Sequence, residues 1–135
     1  MNAIFADTYY FLALTNVKDV AHVRALSASA SANVHILTTE WVLTELADAL
    51  SSPSERPNFR RIYQTLTSDP LTTLVPASHS LFEQGLDLFF HRPDKDWSLT
   101  DCISFVVMKD HGLTEALTAD KHFQQAGYIP LLLNR

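Results

Sequence analysis

Ala3-Ile4-Phe5-Ala6-Asp7-Thr8-Tyr9-Tyr10-Phe11-Leu12-Ala13-Leu14 is the stretch on which the fold turns. A short apolar run is broken by an acid and a threonine, and a second, longer apolar run follows at once. This is the pattern of a buried strand feeding directly into a helix, with Asp7 at the C-terminal edge of the strand. In an open parallel α/β sheet that edge is where ligands bind. The plainer role for Asp7 is to cap the helix that it precedes.

Working outward, the same alternation repeats along the chain. Helical spacing from Val17 to Ser29 is followed by a strand, Val34-His35-Ile36-Leu37, ending in Thr38-Thr39, and then by a helix from Glu40 to Leu50. Ser51-Ser52-Pro53-Ser54-Glu55-Arg56-Pro57 is a turn-rich stop between helices. Beyond it come a helix through Leu66, a strand at Leu71–Val75, an apolar helix from Ser78 to Phe90 and the helix opened by Trp97-Ser98-Leu99-Thr100-Asp101. Gly112 offers a left-handed end to that helix. A strand at Leu113–Thr118, a short helix at Lys121–Ala126 and a strand at Tyr128–Leu133 complete the order, with Pro130 favouring a sheet edge. Strands alternating with helices predict an α/β fold with a mainly parallel central sheet.

Composition narrows the function. The 135 residues suit one domain with a real core, 47% are hydrophobic, and the net charge is −5. Three glycines leave no phosphate-cradling Gly-rich loop. The acidic balance argues against a broadly basic nucleic-acid-binding surface, although a metal-charged site can still meet a phosphate locally. No stretch approaches the roughly 18 apolar residues of a membrane span, and the start of the chain lacks a secretory pattern. A soluble, cytoplasmic protein with no membrane association is expected. The single Cys102 cannot form an internal disulfide and fits a reducing compartment.

Four acids stand at element ends or inner margins. Asp7 and Asp120 each follow a strand. Asp101 lies in a first helical turn, where Ser98 three residues earlier makes a capping box with Asp in place of Glu. Glu45 is mid-helix, so capping does not explain it; at about 100° per residue it flanks the stripe of Val42, Leu46 and Ala49. Four converging carboxylates repel one another unless a cation neutralises them. An oxygen-only set suits Mg²⁺ or Mn²⁺ better than zinc, and such an ion serves phosphodiester hydrolysis. Of six histidines His122 lies nearest this set, and an ordinary surface or core role is expected for it. Arg56, Arg60 and Arg61 form the only basic cluster, either a solvated face or a contact to a nucleic-acid backbone.

Taken together, the opening strand with Asp7-Thr8, Glu45 in Thr44-Glu45-Leu46-Ala47, Asp96-Trp97-Ser98-Leu99-Thr100-Asp101-Cys102-Ile103-Ser104-Phe105 and Thr118-Ala119-Asp120-Lys121-His122-Phe123-Gln124-Gln125-Ala126-Gly127 resemble a PIN domain, most nearly the VapC type of toxin ribonuclease. The likeness covers essentially residues 1–135 as a single domain. It implies a three-layer α/β/α fold and a metal-dependent endoribonuclease. Asp7 and Asp101 would be the principal metal ligands, Glu45 and Asp120 would complete the acidic site directly or through water, and Thr8 or Ser98 would orient the ligands. It also implies a homodimer, an RNA substrate and a cognate antitoxin. The bulky Tyr9-Tyr10 pair departs from the small polar residues common after the first acid. A haloacid-dehalogenase-like phosphatase needs a second carboxylate where Tyr9 stands. The remaining alternative is a noncatalytic PIN-like RNA- or protein-binding module.

Overall fold

The structure, a computed structural model, describes residues 3–29 and 34–133. Five parallel strands form one sheet: β1 (Ala3–Ala6), β2 (His35–Thr39), β3 (Thr72–Val75), β4 (Glu115–Leu117) and β5 (Ile129–Pro130), in the order β3-β2-β1-β4-β5. Helices flank it: α1 (Thr8–Thr15), α2 (His22–Ser29), α3 (Glu40–Ala49), α4 (Arg56–Ser68), α5 (His79–His91), α6 (Leu99–Asp110) and α7 (Lys121–Gln125). The expected α/β architecture with helices flanking a parallel sheet is therefore present.

The strand order decides where a ligand can sit. β1 is central, pairing with β2 on one side, Ile4 opposite Ile36, and with β4 on the other, Ala6 opposite Leu117. The chain builds outward from β1 through β2 and β3, then crosses over to β4 and β5. The direction of winding thus reverses between β1 and β4, which opens a crevice at their C-terminal ends. Asp7 follows β1 and Asp120 follows β4, so the two acids flank that crevice from adjacent strands.

The core explains why these segments are held. Phe5 and Ala6 of β1, Leu37 of β2, Leu46 of α3 and Ala116 and Leu117 of β4 are buried. α6 buries Asp101, Cys102, Ile103, Ser104, Phe105, Val107 and Met108, nearly its whole circumference, so it is an interior helix rather than an amphipathic one. Its first turns are fixed by edge-on rings, Trp97 to Phe105 at 5.0 Å and Phe105 to Phe123 at 4.9 Å between centroids. α5 crosses α6 at Gly85, where a Cβ would come 2.3 Å from Ile103 Cγ1. Gly112 takes φ +66 just past α6, the left-handed end expected of it.

Three expected elements are markedly shorter than the pattern suggested, among them the strand expected over Leu113–Thr118, which spans only Glu115–Leu117. The helix anticipated from Val17 begins only at His22, because Asn16 and Asp19 turn the chain first: Lys18 N–H donates to Asn16 Oδ1 at 3.0 Å and Ala21 N–H to Asp19 Oδ1 at 2.8 Å. Val17 and Val20 are left exposed. The final strand contracts to Ile129–Pro130, because the chain turns just beyond it, the Leu133 N–H donating to the Pro130 carbonyl at 3.2 Å; it lies at the sheet edge as expected. The anticipated strand start at Val34 and the described start at His35 border residues 30–33, which lie outside the described residues. Among the described residues no helix is long and apolar enough to cross a membrane.

Candidate metal centre

Asp7 closes β1 and occupies the N-cap position of α1, yet its side chain makes no capping bond. Its Oδ2 instead accepts the hydroxyl proton of Thr118, just past β4, at 2.9 Å. Only 5% of Asp7 is exposed. Burial, with the negative charges of Asp101 and more weakly Glu45 adding to it, pushes its carboxyl from 3.8 up to about 7, against the lowering effect of the Thr118 hydroxyl and the Thr8 amide. The neighbouring strand fixes its backbone as well: the buried Thr38 hydroxyl donates to the Ala6 carbonyl at 2.8 Å.

Asp101 is held by the capping box. The Asp101 N–H donates to Ser98 Oγ at 3.0 Å, and the Ser98 N–H donates to Asp101 Oδ2 at 3.1 Å. The same Oδ2 lies 2.9 Å from His122 Nδ1. Burial raises the Asp101 carboxyl above its usual range, and the Asp120 charge adds to that. Asp120 caps α7, accepting the His122 N–H on Oδ1 at 2.9 Å; this oxygen is 3.3 Å from His122 Nδ1. Asp101, Asp120 and His122 form a tight cluster, with one potential ligand atom from each lying within 4.8 Å of the others.

His122 was expected to be an ordinary histidine, and the structure corrects that: its Nδ1 sits between two of the acids. Thr118 was not singled out at all, although it joins Asp7 to the Asp120 turn. Thr8 is buried beside Asp7, but its hydroxyl has no hydrogen-bond partner among the described residues. The hydroxyl that orients Asp7 is that of Thr118. Ser98 does orient an acid, Asp101, through its backbone N–H. Glu45 is exposed on α3 and, among the described residues, makes no hydrogen bond to the group; its charge acts weakly on Asp7.

The arginines are placed elsewhere. Arg56 Nε donates to the Ser51 carbonyl at 2.8 Å and closes the turn between α3 and α4. Arg61 bonds Asn58 and lines an apolar cleft beside Tyr10, Ile62 and Leu66, while Arg60 is exposed. None of the three pairs with the acids among the described residues. Cys102 is buried next to Asp101, and its thiol is pushed up to about 11, chiefly by burial, so it is a packing residue.

The donor set fits a hard divalent cation. Three aspartates each have one oxygen engaged by a protein donor, Asp7 Oδ2 by Thr118, Asp101 Oδ2 by Ser98 and His122, and Asp120 Oδ1 by the His122 amide. The second oxygen of each carries none of these bonds. Orienting bonds to one oxygen, with the other left for a cation, are what ligating carboxylates characteristically have. An acid whose carboxyl is raised chiefly by burial, with neighbouring acids adding to it, is also a site that positive charge would relieve.

A five-stranded parallel sheet with acids gathered at the reversal of strand order makes this an α/β domain with an acidic cluster at its switch point. The PIN domain family model matches residues 4–128, and the chain belongs to that family. Its kinship within the family lies with the VapC-type toxins. It is 30% identical to the 23S rRNA-specific endonuclease VapC20 of Mycobacterium tuberculosis over 129 residues, covering 93% of this chain and 95% of that protein. The crystal structure of Mycobacterium tuberculosis VapC20, described as a sarcin-ricin loop cleaving toxin, superposes with a TM-score of 0.85 at 25% identity, covering 94% of this chain and 97% of that one. FitAcB from Neisseria gonorrhoeae shares the fold, with a TM-score of 0.63 at 18% identity over 97% of this chain and 96% of that one.

Proposed function

We propose that this chain is an Mg²⁺- or Mn²⁺-dependent endoribonuclease, the toxin of a toxin–antitoxin pair, that hydrolyses phosphodiester bonds of structured ribosomal RNA. The observation that carries the reading is Asp7, a buried carboxyl that feels the charge of Asp101, is raised to about 7 chiefly by burial, and has its Oδ2 held by the Thr118 hydroxyl. The substrate class rests on the likeness to VapC20.

Asp7, Asp101 and Asp120 would hold the ion, with Glu45 joining from the exposed rim. What such an ion supplies when bound is positive charge against the phosphodiester and a lowered pKa for water. The remaining work belongs to the chain. The capping box and His122 fix Asp101, α7 fixes Asp120, and the β1–β4 pairing sets the spacing between Asp7 and both. The crevice at the strand ends admits the RNA backbone, and the exposed Arg60 on α4, with Arg61 beside it, would meet more distant phosphates. The site is intracellular by this reading, the active form is a homodimer, and a cognate antitoxin covers the acids.

The test is cleavage of ribosomal RNA by purified protein with Mn²⁺, with Mg²⁺ and with EDTA, beside the Asp7→Ala variant. Cuts at few positions, lost in EDTA and in the variant, are expected. Equal cleavage by wild type and a folded variant would remove Asp7 from the mechanism, and silence of both, together with no saturable Mn²⁺ binding in a calorimetric titration, would favour a noncatalytic binding module.

A further inference from the structure

Thr118 lies between the two halves of the acidic site and is completely buried. Its backbone is fixed on both sides: its N–H donates to the Ala116 carbonyl at 3.0 Å, and its carbonyl accepts the Leu132 N–H at 2.9 Å. Its hydroxyl makes two bonds, to the Asp120 N–H at 3.0 Å and to Asp7 Oδ2 at 2.9 Å. A hydroxyl has one proton. A backbone N–H can only donate, so toward Asp120 the Thr118 oxygen must accept, and its single proton is left for Asp7. The direction of the relay is therefore fixed by chemistry, from the Asp120 amide through the Thr118 hydroxyl to Asp7 Oδ2.

We infer that Thr118 is the positioning residue that ties Asp7 to the Asp120 turn and makes Asp7 a one-oxygen donor, presenting Oδ1 to the ion. This rests on the metal-dependent reading above and deepens it. Asp7 and Asp120 follow different strands, 113 positions apart in the chain, and among the described residues this hydroxyl is the one side-chain atom that bonds both. A β-branched side chain on a fixed backbone has few rotamers, so the relay is preorganised. Without it Asp7 keeps the adjacent Thr8 amide but loses the bond that selects Oδ2, its carboxylate is less firmly oriented, and ion affinity would fall. Partners of this kind change metal affinity by about ten- to a hundred-fold.

The experiment compares wild type with Thr118→Val, which keeps the shape and removes the hydroxyl, and Thr118→Ser, which keeps the hydroxyl. Two quantities are read: Mn²⁺ affinity by calorimetry, and hydrogen exchange of the Asp120 amide in EDTA. Thr118→Val should weaken Mn²⁺ at least about ten-fold and speed Asp120 exchange by a similar factor, while Thr118→Ser stays within a few-fold on both. Mn²⁺ affinity unchanged in Thr118→Val would overturn the inference and leave the metal reading standing. So would a folded Thr118→Ser protein that loses affinity as fully as the valine variant. If wild type itself bound no Mn²⁺, the metal reading would fail and the positioning role with it, while Asp120 exchange would still report whether the relay exists.

Discussion

Replacing Asp7 with asparagine should stabilise the metal-free protein above neutral pH while removing its nuclease activity. The folded-state carboxyl is raised from 3.8 to about 7, so between those values the folded state binds more protons than the unfolded state. Stability then falls as pH rises through that window: the contribution is fully present below 3.8 and is lost as pH passes about 7. At about 1.36 kcal/mol per pH unit the full displacement corresponds to roughly 4 kcal/mol. Local relaxation and water penetration trim such penalties, leaving about 2–4 kcal/mol. Asparagine keeps an acceptor for the Thr118 hydroxyl and turns a neutral amide toward the neighbouring acids. At about 3 °C per kcal/mol for a domain of this size, Asp7→Asn should melt about 6–12 °C above wild type in EDTA at pH 8, and close to it at pH 4. Adding excess Mn²⁺ should raise the wild-type Tm and leave the variant nearly unmoved. The assay is thermal unfolding across pH in EDTA, followed by circular dichroism. Parallel pH profiles for the two proteins between pH 5 and 8 would refute the argument, since they would mean that Asp7 ionises normally in the fold.

Asp101→Asn should leave the fold intact and lower RNA cleavage at least about a hundred-fold; single-turnover cleavage beside a melting curve checks both halves. Ser98→Ala removes the acceptor of the capping box and should cost about 1 kcal/mol of stability, read by urea unfolding, with weaker Mn²⁺ binding because Asp101 loses its fixed helix start. Gly85→Ala would place a Cβ against the buried Ile103 where α5 crosses α6. Overpacking there should outweigh the gain of about 1 kcal/mol in helix propensity, lowering Tm by several degrees, and an unchanged or higher Tm would show that the crossing can relax.

The parts of this protein that were legible in the sequence are those set by local rules. A strand that ends in an acid and runs into a helix marks Asp7, and the capping box marks Asp101, because both patterns lie within a few residues of the acid. Pro130 announced an edge strand for the same reason. Thr118 and His122 were not legible in this way. Thr118 meets Asp7 across 111 positions, a contact that exists only because β4 pairs with β1. His122 meets Asp101 across 21, a contact that depends on how α7 packs against α6. Glu45 illustrates the converse: its place on the margin of the apolar stripe was readable, but how far it reaches toward the crevice depends on the tilt of α3. Val17 and Val20 matched helical spacing, and the side chains of Asn16 and Asp19 turned the chain instead.

The reversal of strand order between β1 and β4 has a consequence for synthesis. The first acid precedes the elements that complete its surroundings, β4 with Thr118 and Asp120, by more than a hundred positions, so it is made well before them. A central strand that must wait for its second neighbour is a long-range pairing, slow to form and impossible to form early. A nascent chain, or a product truncated anywhere before residue 118, lacks the hydroxyl that bonds Asp7 and the acid that follows it. The order of the strands thus keeps the acidic cluster incomplete until β4 and the turn after it have been made.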